Sequence, residues 1–162
     1  MSLGDMFLKI EGTKQGPIKG DSDDPSHPDE IVVLGWSWGM DVSAAAFASG
    51  AARTTLQELV IRKRVDRATT ALMSALRANE PLKKVTLSVR KAGGEQPLDY
   101  FKIVAEKARV MSHTVSNEGD GRCELIEEMR VAFFKVQVQY QLQQGTGGSG
   151  GATTFETEIT PG

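Results

Sequence analysis

Two histidines, one cysteine and an acid-rich loop are the residues of this chain best suited to chemistry. Ser112 and His113 place a hydroxyl beside an imidazole, the pairing that a hydrolase needs. Neighbouring residues of a strand point to opposite faces, however, and no Gly-x-Ser-x-Gly elbow or Cys and His arrangement accompanies them. The adjacent acids Glu127 and Glu128 meet the same objection as a general acid and base. No catalytic residue is assigned, and the chain is not expected to be an enzyme.

Metal and cofactor chemistry fare no better. Asp21, Asp23, Asp24, Asp29 and Glu30 have the composition of a calcium loop, but Pro25 takes the fifth position and no glycine takes the sixth, so the reading is a solvated acidic loop. Cys123 has no second cysteine to pair with, and one thiol with the scattered His27 and His113 cannot make a zinc cage. Folding in a reducing cytoplasm suits such a chain. Gly145-Thr146-Gly147-Gly148-Ser149-Gly150 matches the spaced glycines of a dinucleotide loop, yet no helix follows to receive a phosphate; it reads as a linker. Neither a metal nor a cofactor is expected.

Nineteen basic and 21 acidic residues leave a net charge of −2 over 162 residues. No global positive field exists to hold a phosphate backbone, so nucleic acid is not an expected partner. Arg62-Lys63-Arg64 lacks interleaved aromatics and reads as a charged strand end or a salt bridge between subunits. The N-terminus has no basic region followed by an apolar run, and no stretch is long enough to insert in a membrane. If the protein leaves the cell, a machine must export it.

The elements that would carry these residues are mostly strands, because hydrophobic residues recur with period 2. Residues 6–10 open as a strand, and 12–28 form a loop. In 30–40, Val32, Leu34, Trp36 and Trp38 share one face, read as core, while Ile31, Val33, Gly35 and Ser37 share the other. Residues 42–52 carry no charge and no clear period, only small residues around Phe47; a loop of that kind suits contact with another chain. The one good helix runs over about 66–79, from Asp66 as N-cap to Asn79 and Pro81. Residues 85–90 and 98–110 form a hairpin across Gly93-Gly94.

The last long strand region, 125–143, puts Phe134, Val136, Val138, Tyr140 and Leu142 on one face, with Gln137, Gln139, Gln141 and Gln143 on the other. A short strand over 153–159 follows the linker. The fold class is mainly β: a small antiparallel β-barrel or two-sheet sandwich of about eight strands with one flanking helix. Residues 1–144 are read as the domain and 145–162 as linker and tail. A monomeric barrel binding a small ligand is the rival reading, but Trp, Phe and Val fill the expected interior.

Four stretches narrow the choice. Asp5-Met6-Phe7-Leu8-Lys9-Ile10, Leu34-Gly35-Trp36-Ser37-Trp38-Gly39-Met40, Val89-Arg90-Lys91-Ala92-Gly93-Gly94 and Val136-Gln137-Val138-Gln139-Tyr140 resemble segments of the Hcp family, in the same order. That family supplies the tube subunit of the bacterial type VI secretion system. The resemblance covers about residues 5–143. It implies homohexameric rings with a wide channel that stack into an inner tube, folded in the cytoplasm and then secreted by the machine. It also implies partners: the spike protein, the contractile sheath and small effector proteins sheltered in the channel. On the family's pattern Gly35 and Ser37 line the channel, and Ala46, Phe47, Ala48 and Ser49 belong to a loop that reaches the next ring. The Gln137, Gln139, Gln141 and Gln143 row is a second wall or a ring interface. The family commonly ends in an aromatic-rich strand, whereas Phe155 is the one aromatic of this tail.

Overall fold

A computed structural model describes residues 5–50, 53–91, 98–117, 123–143 and 149–159. In chain order the elements are β1 (Met6–Gly12), β2 (Pro17–Ile18), β3 (Ile31–Ser37), β4 (Met40–Asp41), α1 (Ala44–Ala48), β5 (Thr55–Leu56) and β6 (Leu59–Arg64). They continue with α2 (Ala68–Arg77), β7 (Leu82–Arg90), β8 (Asp99–Asn117), β9 (Leu125–Gln143) and β10 (Ser149–Glu158). Six strands close an antiparallel barrel in the order β9, β6, β3, β1, β7, β8, with β8 returning to β9. The expected β-barrel is present. β10 adds to the outer edge of β9, β2 adds to β1, and β4 with β5 makes a separate ribbon.

Alternation builds the barrel: Leu8 and Ile10 of β1, Leu59 and Ile61 of β6, and Val85 and Leu87 of β7 are buried, while the residues between them turn outward. α2 lays Ala68, Leu72 and Ala75 on this core. Its start is fixed by Asp66, whose Oδ1 accepts from the Ala68 N–H at 2.9 Å. It ends on Asn79 at φ +55°, where the Glu80 N–H donates to the Ala75 carbonyl and the Asn79 N–H to that of Leu76. That pairing is a Schellman cap, with asparagine tolerating the left-handed position.

The alternation shifts twice, and both shifts correct the expected faces. In β3, Val33 lies opposite Lys63 and Gly35 opposite Arg62, so Leu34 is the extra residue of a bulge. Before it Ile31 and Val33 point inward; beyond it Trp36 and Trp38 pack on the core. Val32 and Leu34 therefore do not share the core face with the two tryptophans. In the β8 and β9 pair the inward face changes at Lys107, whose φ is +54°, and Phe134. Ile103 and Ala105 are buried on one side of that step, Ala108 and Val110 on the other, and across from them Val136 and then Phe133 and Val131. Phe134 is consequently 42% exposed and not grouped with Val136.

A second helix, α1, occupies part of the segment expected to be loop. Ser43 caps it, its Oγ accepting from the Ala46 N–H at 3.0 Å. Three alanines favour a helical turn locally, but with no buried residue the helix leaves no amphipathic period in the sequence. The β7 and β8 hairpin is as expected; the Gly93-Gly94 turn lies outside the described residues. β10 starts at Ser149, inside the stretch read as linker, and pairs antiparallel with β9.

Candidate functional site

Ser37 and Gly35 face outward because the tryptophans beside them face inward. Trp36 stacks on Phe101 with ring centroids 5.7 Å apart, and Trp38 packs on Phe133 while its indole N–H donates to the Gln57 carbonyl at 2.8 Å. With these anchors set, Ser37 is exposed, and a Cβ placed on Gly35 would have nothing within 4 Å. Cross-strand register extends each position into a row. Ser37 faces Val60, then Arg130, then Ser112; Gly35 faces Arg62, then Glu128, then Thr114. Arg130 Nη2 reaches Glu128 Oε1 at 3.5 Å. This is a broad polar band of hydroxyl, guanidinium and carboxylate side chains.

The β4 and β5 ribbon carries a second surface. Gln57 bridges the ribbon, its Nε2 donating to Asp41 Oδ2 at 3.0 Å and its N–H to the Gly39 carbonyl at 2.9 Å. Held out on it, α1 leaves Phe47 76% exposed, with Ala48 and Ser49 also exposed and Ala46 half-buried. An aromatic so far from any core is unusual unless something else covers it.

The glutamine row lies elsewhere. Gln137 faces Val104 on β8 and Glu156 on β10, Gln139 faces Lys102 and Thr154, Gln141 faces Ala152, and Gln143 pairs with Ser149. Gln139 Nε2 donates to Gln137 Oε1 at 3.2 Å. The structure does not bring this row beside Ser37, whose neighbour on β9's nearer half is Arg130. Next to the glutamines, Glu11, Lys84, Glu106, Lys135 and Glu158 stand opposite one another across five strands, alternating in sign. The face is polar and self-neutralising.

A six-stranded barrel with these surfaces agrees with the family that the sequence resembles, and the family described as "Type VI secretion system effector, Hcp" matches residues 7–140. The chain belongs to the Hcp family. Protein hcp1 of Pseudomonas aeruginosa is 37% identical over 150 residues, covering 91% of this chain and 89% of that one. The crystal structure of Hcp1 from Salmonella typhimurium superposes with a TM-score of 0.74 at 27% identity, covering 95% of this chain and 94% of the other. A type VI secretion system effector from Yersinia pestis gives 0.73 at 26% identity, covering 95% and 99%. This chain is therefore a type VI secretion protein of a family that is structural and secreted. No helix among the described residues is long and apolar enough to cross a membrane.

The Hcp barrel also contains polar groups that sequence reasoning misplaced. Lys63 is not a charged strand end: it is wholly buried. Its Nζ lies 2.5 Å from Glu127 Oε1 and 2.8 Å from Asp66 Oδ1. Thr69 Oγ1 donates to the same Glu127 oxygen at 2.6 Å, and His113 Nε2 lies 2.6 Å from the other. Burial pushes the Glu127 carboxyl up, but hydrogen bonds from Lys63 and Thr69 outweigh it and hold the group below the usual range. The signal was in the alternation: Leu59, Ile61 and Lys63 share one parity, as do Glu127, Met129 and Val131.

The acidic loop is likewise tied down and not simply solvated. His27 is buried, stacked on Phe7 with centroids 4.3 Å apart, with Nδ1 2.9 Å from Glu30 and Nε2 3.0 Å from Asp99. Arg90 grips both oxygens of Asp24 at 3.0 and 2.8 Å. Among the described residues no group of three or more His, Cys, Asp or Glu could hold a metal ion.

Proposed function

We propose that this Hcp protein is the structural subunit of a type VI inner tube: six copies close a ring, rings stack, and the channel carries or shelters small effector proteins. The tube is itself exported after folding in the cytoplasm, and its work is mechanical, with no catalysis. The spike protein, the contractile sheath and the effectors are its partners. The observation that carries the reading is Phe47, an aromatic 76% exposed on a capped helix of alanines held away from the barrel. Such a residue needs an apolar partner on another copy. Ser37 and Gly35 supply a polar, sterically open surface suited to the channel, and Gln137, Gln139, Gln141 and Gln143 a further polar wall or ring contact.

Size-exclusion chromatography with light scattering tests the proposal, and electron microscopy of the same peak reads the symmetry. A ring of about six copies is expected, since a stable contact of ordinary size buries enough surface to hold at micromolar concentration. A monodisperse monomer of 17.5 kDa would overturn it.

A further inference from the structure

The turn that ends α2 gathers four cations. Arg77 closes the helix, Lys83 lies at the start of β7, and Lys14 sits on the loop that Thr13 ties to the turn through the Pro81 carbonyl at 3.1 Å. Arg109 of β8 donates from Nη1 to the Asn79 carbonyl at 3.0 Å. All four are exposed, and among the described residues none forms an ion pair. The one acid of the turn, Glu80, is turned inward at 3% exposure, its carboxylate accepting from the N–H groups of Lys14 and Gln15 and from the Gln15 side chain. Nearby Lys107 is already neutralised by Glu158.

The partial negative charge of a helix C-terminus accounts for Arg77 and Arg109. It does not account for Lys83, which comes from outside the helix, and Lys14 answers only the one carboxylate of Glu80. Four cations against the single carboxylate of Glu80, in a chain of net charge −2, are a local reversal of the overall balance. Met73, 42% exposed and one turn before Arg77 on the same helix face, sets an apolar side chain beside it.

We propose that this patch docks an acidic segment of a partner protein, with the four cations pairing its carboxylates and Met73 contacting its apolar side chains. Nucleic acid fits poorly, because a chain of net charge −2 offers no wider positive field to hold a phosphate backbone. An anionic membrane fits poorly too, since the exposed apolar side chains there, Met73 and Pro81, are too few to make a continuous apolar face.

The test measures binding of a fluorescent oligoglutamate peptide by the full chain, beside single-stranded DNA and phosphatidylglycerol vesicles. The peptide should bind best, and K14Q/R77Q/K83Q should weaken it about tenfold, Arg109 being kept because it supports the helix end. K9Q/K19Q/K91Q removes the same charge elsewhere and should leave binding unchanged. Absent peptide binding, equal loss in both variants, or tighter binding of DNA or vesicles overturns the proposal. Light scattering on both variants should match the unaltered protein; loss of assembly in the first alone would place these cations between copies and also overturn it.

Discussion

Lys63 Nζ lies 2.5 Å from Glu127 Oε1, and neither side chain has any contact with solvent. The pair joins β6 to β9 inside the barrel wall, and Asp66, Thr69 and His113 complete its hydrogen bonds. Among the described residues no buried side-chain nitrogen or oxygen lacks a partner. Charges so placed are tolerated only as a set, because each one alone would carry the full desolvation cost.

Glu127→Leu alone should therefore destabilise the chain by about 3–5 kcal/mol, leaving a buried ammonium without its main partner. Lys63→Met with Glu127→Leu should recover much of that loss, since the site then holds two apolar side chains of similar volume. Urea midpoints with unchanged m-values are the measurement. A double variant as unstable as the sum of the singles would mean that the pair is not the unit.

Asp24 gives the clearest dependence on pH. Its side-chain hydrogen bonds with Arg90 outweigh burial and lower its carboxyl from 3.8 to about 2. A folded-state value below the unfolded one adds stability that is fully present above the unfolded value and is lost as pH falls through the folded one. With solvent screening of this partly exposed pair the contribution is about 1 kcal/mol, lost between about pH 4 and pH 2. Asp24→Asn should flatten the stability profile in that window, read by denaturant titration at fixed pH; an unchanged slope would show that the Arg90 pair does not carry it.

Two glycines should respond in opposite ways. A Cβ at Gly20 would fall 2.6 Å from both the Glu30 carbonyl oxygen and the Ile31 Cα, backbone atoms that cannot move aside. Gly20→Ala should cost about 2 kcal/mol or more through overpacking. At Gly35 the same atom meets open space, so Gly35→Ala should be neutral or should stabilise by about 0.5 kcal/mol through reduced freedom of the unfolded chain. Thermal melts separate the two, and a marked loss at Gly35 would contradict its position on an open surface.

The strands, the long helix and the outward direction of Ser37 were legible because period-2 and period-3.6 patterns record burial directly. What alternation could not reveal was the extra residue at Leu34, which moves the tryptophans onto the core parity, or the step at Lys107 and Phe134. Both depend on which residue of a partner strand stands opposite, and that is absent from local sequence. Lys63 and Glu127 lay on core parity in plain view; their charge argued against burial because their partners come from distant strands. α1 escaped notice since a helix that buries nothing has no period to read.

Substitutions at Phe47 and Ser37 test the proposed stacking and cargo roles separately. Phe47 touches no core, so Phe47→Glu should leave the unfolding free energy of the fold within about 0.5 kcal/mol of the parent. Ring closure should survive while longer stacks shorten, because the introduced carboxylate would have to be desolvated where the two rings meet. Ser37→Arg should instead spare both rings and stacks and lower cargo retention. Its neighbours in the row include Arg130, so the new cation adds bulk and like charge to an open wall without disturbing packing. Light scattering should then show intact rings and stacks, while effector retention in a pull-down falls. Equal loss of rings and stacks in Phe47→Glu would remove α1 from the stacking contact, and unchanged retention in Ser37→Arg would remove Ser37 from the cargo surface.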